Sequence, residues 1–254
     1  MKGWIAGLAA VVGLSLAVPA SAQAPQNRVF QATYSVSVYG LTGGELNLDV
    51  RISGDSYTGT LRQPATGLNR TPGGDAQDYD ASARGVITAT AVRPTTYTHT
   101  GGSRDRTVTV NFSASDVVTV ANPPMNMGNP PATRAQRMGS TDQISSFVHM
   151  MVAPGEADPC NRTIRVFDGR ARFDLVMTPN GTRNVNNRAF RGEARRCSVT
   201  YRAIAGLTDE PPTGDNMTFL FGRLENGLWA PLRIEWPTDD AGMAVIQARS
   251  IASS

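Results

Sequence analysis

The sequence predicts a mainly β protein, a strongly curved antiparallel sheet in the form of a spiral or partly open barrel, with one short amphipathic helix. Three observations predict it. Apolar and polar residues alternate with a period of two through run after run of the chain. Turn-forming pairs such as Gly54-Asp55 and Asp168-Gly169 separate those runs. One segment, Ile144 to Met151, stands out for its helical spacing of apolar residues.

Taken in order, Tyr34 to Val38 reads as a strand, Gly43-Gly44 breaks the chain, and Leu46 to Ile52 alternates with Glu45, Asn47, Asp49 and Arg51. Gly54-Asp55 turns into Tyr57 to Leu61, completing a meander. Val86 to Thr88, Thr107 to Phe112 and Val117 to Val120 follow. In the helix, Ser140 and Gln143 have capping-box spacing, Ile144, Phe147, Val148 and Met151 share one face, and Pro154-Gly155 ends it. Its apolar face has to be buried, which predicts that it covers or plugs one opening of the curved sheet. Asp168-Gly169 supplies the positive φ angles of a tight hairpin between Thr163–Phe167 and Arg170–Met177. Asn180-Gly181 predicts the next connection. Ser198–Ile204, Met217–Leu224, Trp229–Trp236 and Met243–Ile251 complete about a dozen strands. Gln63–Asp80, Ala121–Thr133 and Thr208–Asn216 read as loops. The second repeats Asn-Pro-Pro at Asn122 and Asn129, with stiff extended character.

Residues 1–22 read as a cleaved signal peptide: Lys2, an apolar run from Trp4 to Val18, then Ala20-Ser21-Ala22. The run is too short for a convincing membrane span. The expected product is a periplasmic protein, cleaved after Ala22, with a single β-rich domain over 23–254. Cys160 and Cys197, the only two cysteines, then read as one structural disulfide. Lys2 is the only lysine, so 23 Arg face 21 acids in the remainder. Those charges are interspersed, Glu193 diluting Arg188, Arg191, Arg195 and Arg196, and nucleic acid is not an expected partner.

The search for catalytic chemistry returns mostly absences. There is no G-x-S-x-G elbow, phosphate loop with lysine, H-E-x-x-H or C-x-x-C. Two His and a disulfide make a poor zinc set, so neither metal nor cofactor is expected. His99 is a weak catalytic candidate beside Ser103 and Asp105, but triads converge from separate elements. His149 reads as helix surface or cap. With Met150, Met151, Met125, Met127 and Met138 it would suit copper(I) chemically, but the spacing is irregular. Glu45, Asp49, Asp174 and Glu235 lie on strands, where alternation sends most to solvent. The aromatic residues are more suggestive. Phe219, Phe221, Trp229 and Trp236, interleaved with Leu220, Leu224, Leu228, Leu232 and Ile234, would line either an ordinary closed core or a cavity for an apolar ligand. With Phe147 and Met151 from the helix they form the ligand-binding candidates.

The order of these elements resembles a family known as domain of unknown function 3108. The resemblance is carried by Tyr34 to Val50, Asp55 to Leu61, Ala65 to Leu68, Arg93 to Tyr97, Asp142 to Phe147, Val166 to Leu175, Cys197 to Tyr201 and Trp229 to Ile234. It implies an exported bacterial β protein of the envelope and no catalytic set. The loops at Gln63–Asp80 and Pro123–Pro131 depart from the family pattern and leave partner choice open.

Three functions fit. The first is a periplasmic, non-enzymatic β domain that binds an apolar, lipid-like envelope component and supports envelope integrity. The second is an interaction module that docks an envelope protein through loops or a strand edge. The third is a hydrolase of wall or lipid substrates resting on His99. Oligomeric state is left open.

Overall fold

The structure, a computed structural model, describes residues 27–64, 78–101, 106–155, 158–207, 217–238 and 242–254. Seven strands come first: β1 (Asn27–Val38), β2 (Leu41–Ser53), β3 (Ser56–Gln63), β4 (Tyr79–Ile87), β5 (Val92–Gly101), β6 (Arg106–Phe112) and β7 (Val117–Asn122). Two helices follow, α1 (Arg134–Arg137) and α2 (Gln143–Val152). Six more strands complete the chain: β8 (Arg162–Phe167), β9 (Arg172–Asn186), β10 (Arg191–Ala205), β11 (Met217–Arg223), β12 (Trp229–Thr238) and β13 (Gly242–Ser253).

All thirteen strands belong to one sheet, in the order β7-β6-β5-β4-β3-β2-β1-β13-β12-β11-β10-β9-β8. Every neighbour is antiparallel, so two meanders are zipped together where β1 pairs β13. The fold is therefore mainly β, a long open antiparallel sheet that curls upon itself. Its curvature follows from what touches across it. Helix α2 packs on β3, β4 and β5 of one arm and on β8 and β12 of the other. The β8–β9 tip reaches β6: a Cβ added to Gly169 would lie 2.9 Å from Val108 Cγ1. The free edge of β8 is capped as well, because Thr141 forms a parallel bridge to Val166 and its backbone bonds Arg165 and Phe167. Closure of this kind hides strand edges that would otherwise template aggregation.

Several local expectations need correction. Gly43-Gly44 is not the first turn. It lies inside β2, where the register with β1 shifts between Val36 and Ser37, and the chain turns earlier at Tyr39-Gly40. Asn180-Gly181 does not end its strand either. β9 runs on to Asn186, the register slips near Arg195 and Cys197, and Asn187 makes the turn by accepting from the N–H groups of Ala189 and Phe190. Both pairs sit at bulges, and at the second Gly181 takes a φ of 79°. Strand β4 begins within the expected loop, at Tyr79 and Asp80, and reaches the expected strand residues Val86 and Ile87 through a middle that buries only the small Ala81 and Ala83. Both Asn–Pro bonds of the repeat are cis.

The N-cap of α2 is Asp142, which accepts from the Ser145 N–H at 2.8 Å and from the Ser145 hydroxyl. The expected Ser140–Gln143 box is not formed, since Ser140 instead donates to the Arg137 carbonyl. A true capping box, Thr133 with Gln136, opens the short α1. Arg172, 3% exposed at its side chain, ties that helix to β9 by donating to the Gln136 carbonyl and pairing with Asp174 at 2.6 Å.

Helix α2 is buried on more than one face, and it feeds all three parts of the core. Ile144 joins Tyr97, Val110 and Phe167; Val148 and Met151 join Phe30, Val50 and Leu232; Met150 joins Ile164, Met177 and Phe221. The close approach is possible because β3 carries Gly59, where a Cβ would fall 2.5 Å from Ile144 Cγ2. Tyr57 donates to the Ser145 hydroxyl at 2.6 Å and fixes the helix from the same strand.

Candidate functional site, an apolar pocket beside the buried helix

One stripe of α2 does not reach the wall opposite. Gln143, Ser146, Phe147 and Met150 recur at i, i+3, i+4 and i+7, so they share a face. Between that face and the sheet lies an open apolar pocket of about 370 Å³. Register builds the far wall: Phe219 pairs with Ile234 and Ile234 with Ile246, so the three side chains stand in one row across β11, β12 and β13. Leu175 and Tyr201 pair across β9 and β10 and continue it, while Leu48 and Leu61 close it from β2 and β3. Trp236 and Pro237 stand further along β12.

Of the six ligand-binding candidates, Phe147, Phe219 and Trp236 line this pocket. Met151 and Phe221 are fully buried in closed core instead. Trp229 sits on β12 against that core, with the Arg223 guanidinium 5.0 Å from its ring centroid. The split has a simple origin. Phe147 and Met151 share a helical stripe, but Met151 is a turn beyond the pocket face and meets β-sheet side chains directly. Sequence reasoning missed Leu175, Tyr201 and Ile246, which look like any strand residues until register puts them in one wall.

Gln143 gives the pocket a polar corner. Its Oε1 accepts from Tyr97 at 3.2 Å and from Tyr79 at 3.4 Å, and the two hydroxyls lie 3.0 Å apart. Burial pushes both phenols above their ordinary range, so they are neutral groups here. His99 stacks on Tyr79 at 5.5 Å and tilts against Tyr97 at 5.4 Å. Desolvation lowers its pKa although Asp168 opposes that shift, and its buried Nδ1 has no hydrogen-bond partner among the described residues. Ser103 and Asp105, its proposed partners, lie outside the described residues. His149 is half-buried rather than on the surface, and burial with nearby Arg162 lowers its pKa to about 4.

Of the remaining candidates, Cys160 and Cys197 form a buried disulfide with Cα atoms 5.2 Å apart. It ties the segment before β8 to β10, across β9. None of Glu45, Asp49, Asp174 and Glu235 lines the pocket. Met150 and Met151 are core, and among the described residues no cluster of three His, Cys, Asp or Glu could hold a metal. The loop parts at 65–77 and 208–216 and the segment 1–22 also lie outside the described residues.

Comparison with solved structures places this architecture beside a beta-barrel-like protein of domain of unknown function DUF1849 from Brucella abortus. The TM-score is 0.50 at 11% identity, over 89% of this chain and 98% of that one. That likeness concerns the fold alone. No curated protein matches the sequence. A family profile does, described as protein of unknown function (DUF3108), and it spans residues 33–248, from within β1 to within β13. The chain belongs to the DUF3108 family.

Proposed function

We propose that this protein is an exported, non-enzymatic β domain that holds an apolar, lipid-like component of the cell envelope in the pocket between α2 and the concave sheet. The observation that carries the reading is the pocket's chemistry. Its volume of about 370 Å³ is within the range typical of small-molecule sites, and its lining residues are apolar or aromatic apart from Gln143 and Ser146. A few convergent polar groups on an apolar surface suit an amphiphile, with its chain on the wall and its polar end near Gln143. The signal-like segment 1–22 and the disulfide support export to an oxidising compartment such as the periplasm.

The test is native mass spectrometry of the gently purified protein, followed by uptake of straight-chain alcohols of increasing length. A stoichiometric, solvent-extractable adduct is expected. Each added methylene should tighten binding by about 0.8 kcal/mol, roughly fourfold, until the chain outgrows the pocket. Ile246→Trp, which fills the pocket from β13, should abolish uptake. A clean protein mass together with no uptake at any chain length would overturn the reading.

A further inference from the structure

The pocket wall does not stop at Trp236. Directly paired residues of an antiparallel sheet share a face. Trp236 pairs with Ala244, Ala244 with Val38, and Val38 with Leu41. One apolar row therefore runs across β12, β13, β1 and β2 on the concave side. Along it exposure climbs steeply, from 2% at Ala244 to 37% at Val38 and 63% at Leu41.

At the end of that row stands the β1–β2 turn. Tyr39 and Gly40 have φ of 55° and 75°. Two-residue turns of this kind favour Asn-Gly or Gly-Gly, because a larger side chain is strained in the left-handed region. Tyr39 accepts that strain while remaining 63% exposed, so its ring contributes little to the core. It lies beside Gly242 of the β12–β13 tip, where Met243 is 46% exposed. Val36 to Gly44 and Gly242 to Ala248 contain no charged residue.

We propose that Val38, Tyr39, Leu41 and Met243 form a rim that seats on the surface of a zwitterionic phospholipid bilayer. Exposed apolar tips carrying a tyrosine match the interfacial zone of a membrane, where amphipathic rings settle among headgroups. Four side chains offer far less than the roughly 800 Å² per partner of a stable protein interface. A bilayer sets no such minimum. The uncharged stretches on both sides of the rim carry no cation to draw it to an anionic surface. Seating the rim there brings the outer end of the row that leads from Trp236 against the lipid, and apolar cargo passes along it without crossing water. The rim goes beyond the pocket reading and is tested separately from it, since vesicle binding needs no cargo.

The experiment is flotation of the purified protein with vesicles of phosphatidylcholine and phosphatidylethanolamine. The wild type floats with them. Tyr39→Asn combined with Leu41→Ser floats at least tenfold less, and melts no lower, because asparagine suits the turn. Val118→Ser with Val120→Ser, which removes equally exposed side chains from β7 (47% and 58%), floats like the wild type. A wild type that stays at the bottom overturns the proposal. So does an edge-strand pair that loses as much binding as the rim pair, or flotation that requires anionic lipid.

Discussion

Asp142 caps α2 and His149 rides its last turn, and burial drives the two in opposite directions. Desolvation pushes the Asp142 carboxyl up to about 6, despite the hydrogen bonds from Ser145, and pulls His149 down to about 4. Between pH 4 and 6 the native state holds more protons than the unfolded chain at Asp142, so that residue's contribution falls as pH rises. At His149 the native state holds fewer, so its contribution rises with pH across the same window. The two slopes oppose each other. Asp142→Asn, which keeps a capping oxygen, should therefore give a protein whose melting temperature climbs from pH 4 to 6. His149→Gln should give one that loses stability over that range, by on the order of 2–3 kcal/mol. Melting curves at pH 4, 5 and 6 check this, and variants that track the wild type at every pH would refute it. The same scale shows what sequence cannot assign. Phe147 and Met151 share one helical stripe in the sequence, yet one lines the pocket and the other is core. The difference lies in where the facing wall retreats, and no local pattern encodes that.

Among the elements, β8 is one of the two edge strands of the sheet, and it is fastened covalently. The Cys160–Cys197 disulfide closes a separation of 37 residues and pins that edge to β10. Replacing Cys160 with Ser should lower stability by about 2–4 kcal/mol, with a lower melting temperature under non-reducing conditions. An unchanged melting temperature would show that the bond carries no stability. Most strands were readable because apolar alternation survives in them, as in β2 with Leu48, Val50 and Ile52. Element ends were less readable. Gly43-Gly44 and Asn180-Gly181 carry a turn's composition but serve as bulges, and only pairing with the opposite strand decides between the two. β4 was largely hidden because its buried positions are Ala81, Ala83 and Gly85, small enough to let α2 and β5 approach. The helix was readable from its apolar residues, but its cap was displaced to Asp142, whose burial follows from tertiary packing.

At the level of the whole molecule, the first and last strands meet in the middle of the sheet. Nothing in the local pattern of β1 or β13 announces this; it emerges from the curl of two meanders around one helix. The β1–β13 ladder is the sole strand pairing between the halves among the described residues. Removing Gly242–Ser253 should therefore leave two long unpaired edges and no cooperative thermal transition. A truncated chain that still melts in one sharp step would show that α2 alone joins the halves. The same arrangement sets a clock on biosynthesis. The ribosome finishes β1 at Val38 but does not reach β13 until Gly242. At typical rates of synthesis the first strand waits about 10 to 40 seconds for its neighbour. Throughout that wait its outer edge is an open template, and the nascent chain needs either a guardian bound to it or a delay in folding until the last strand arrives.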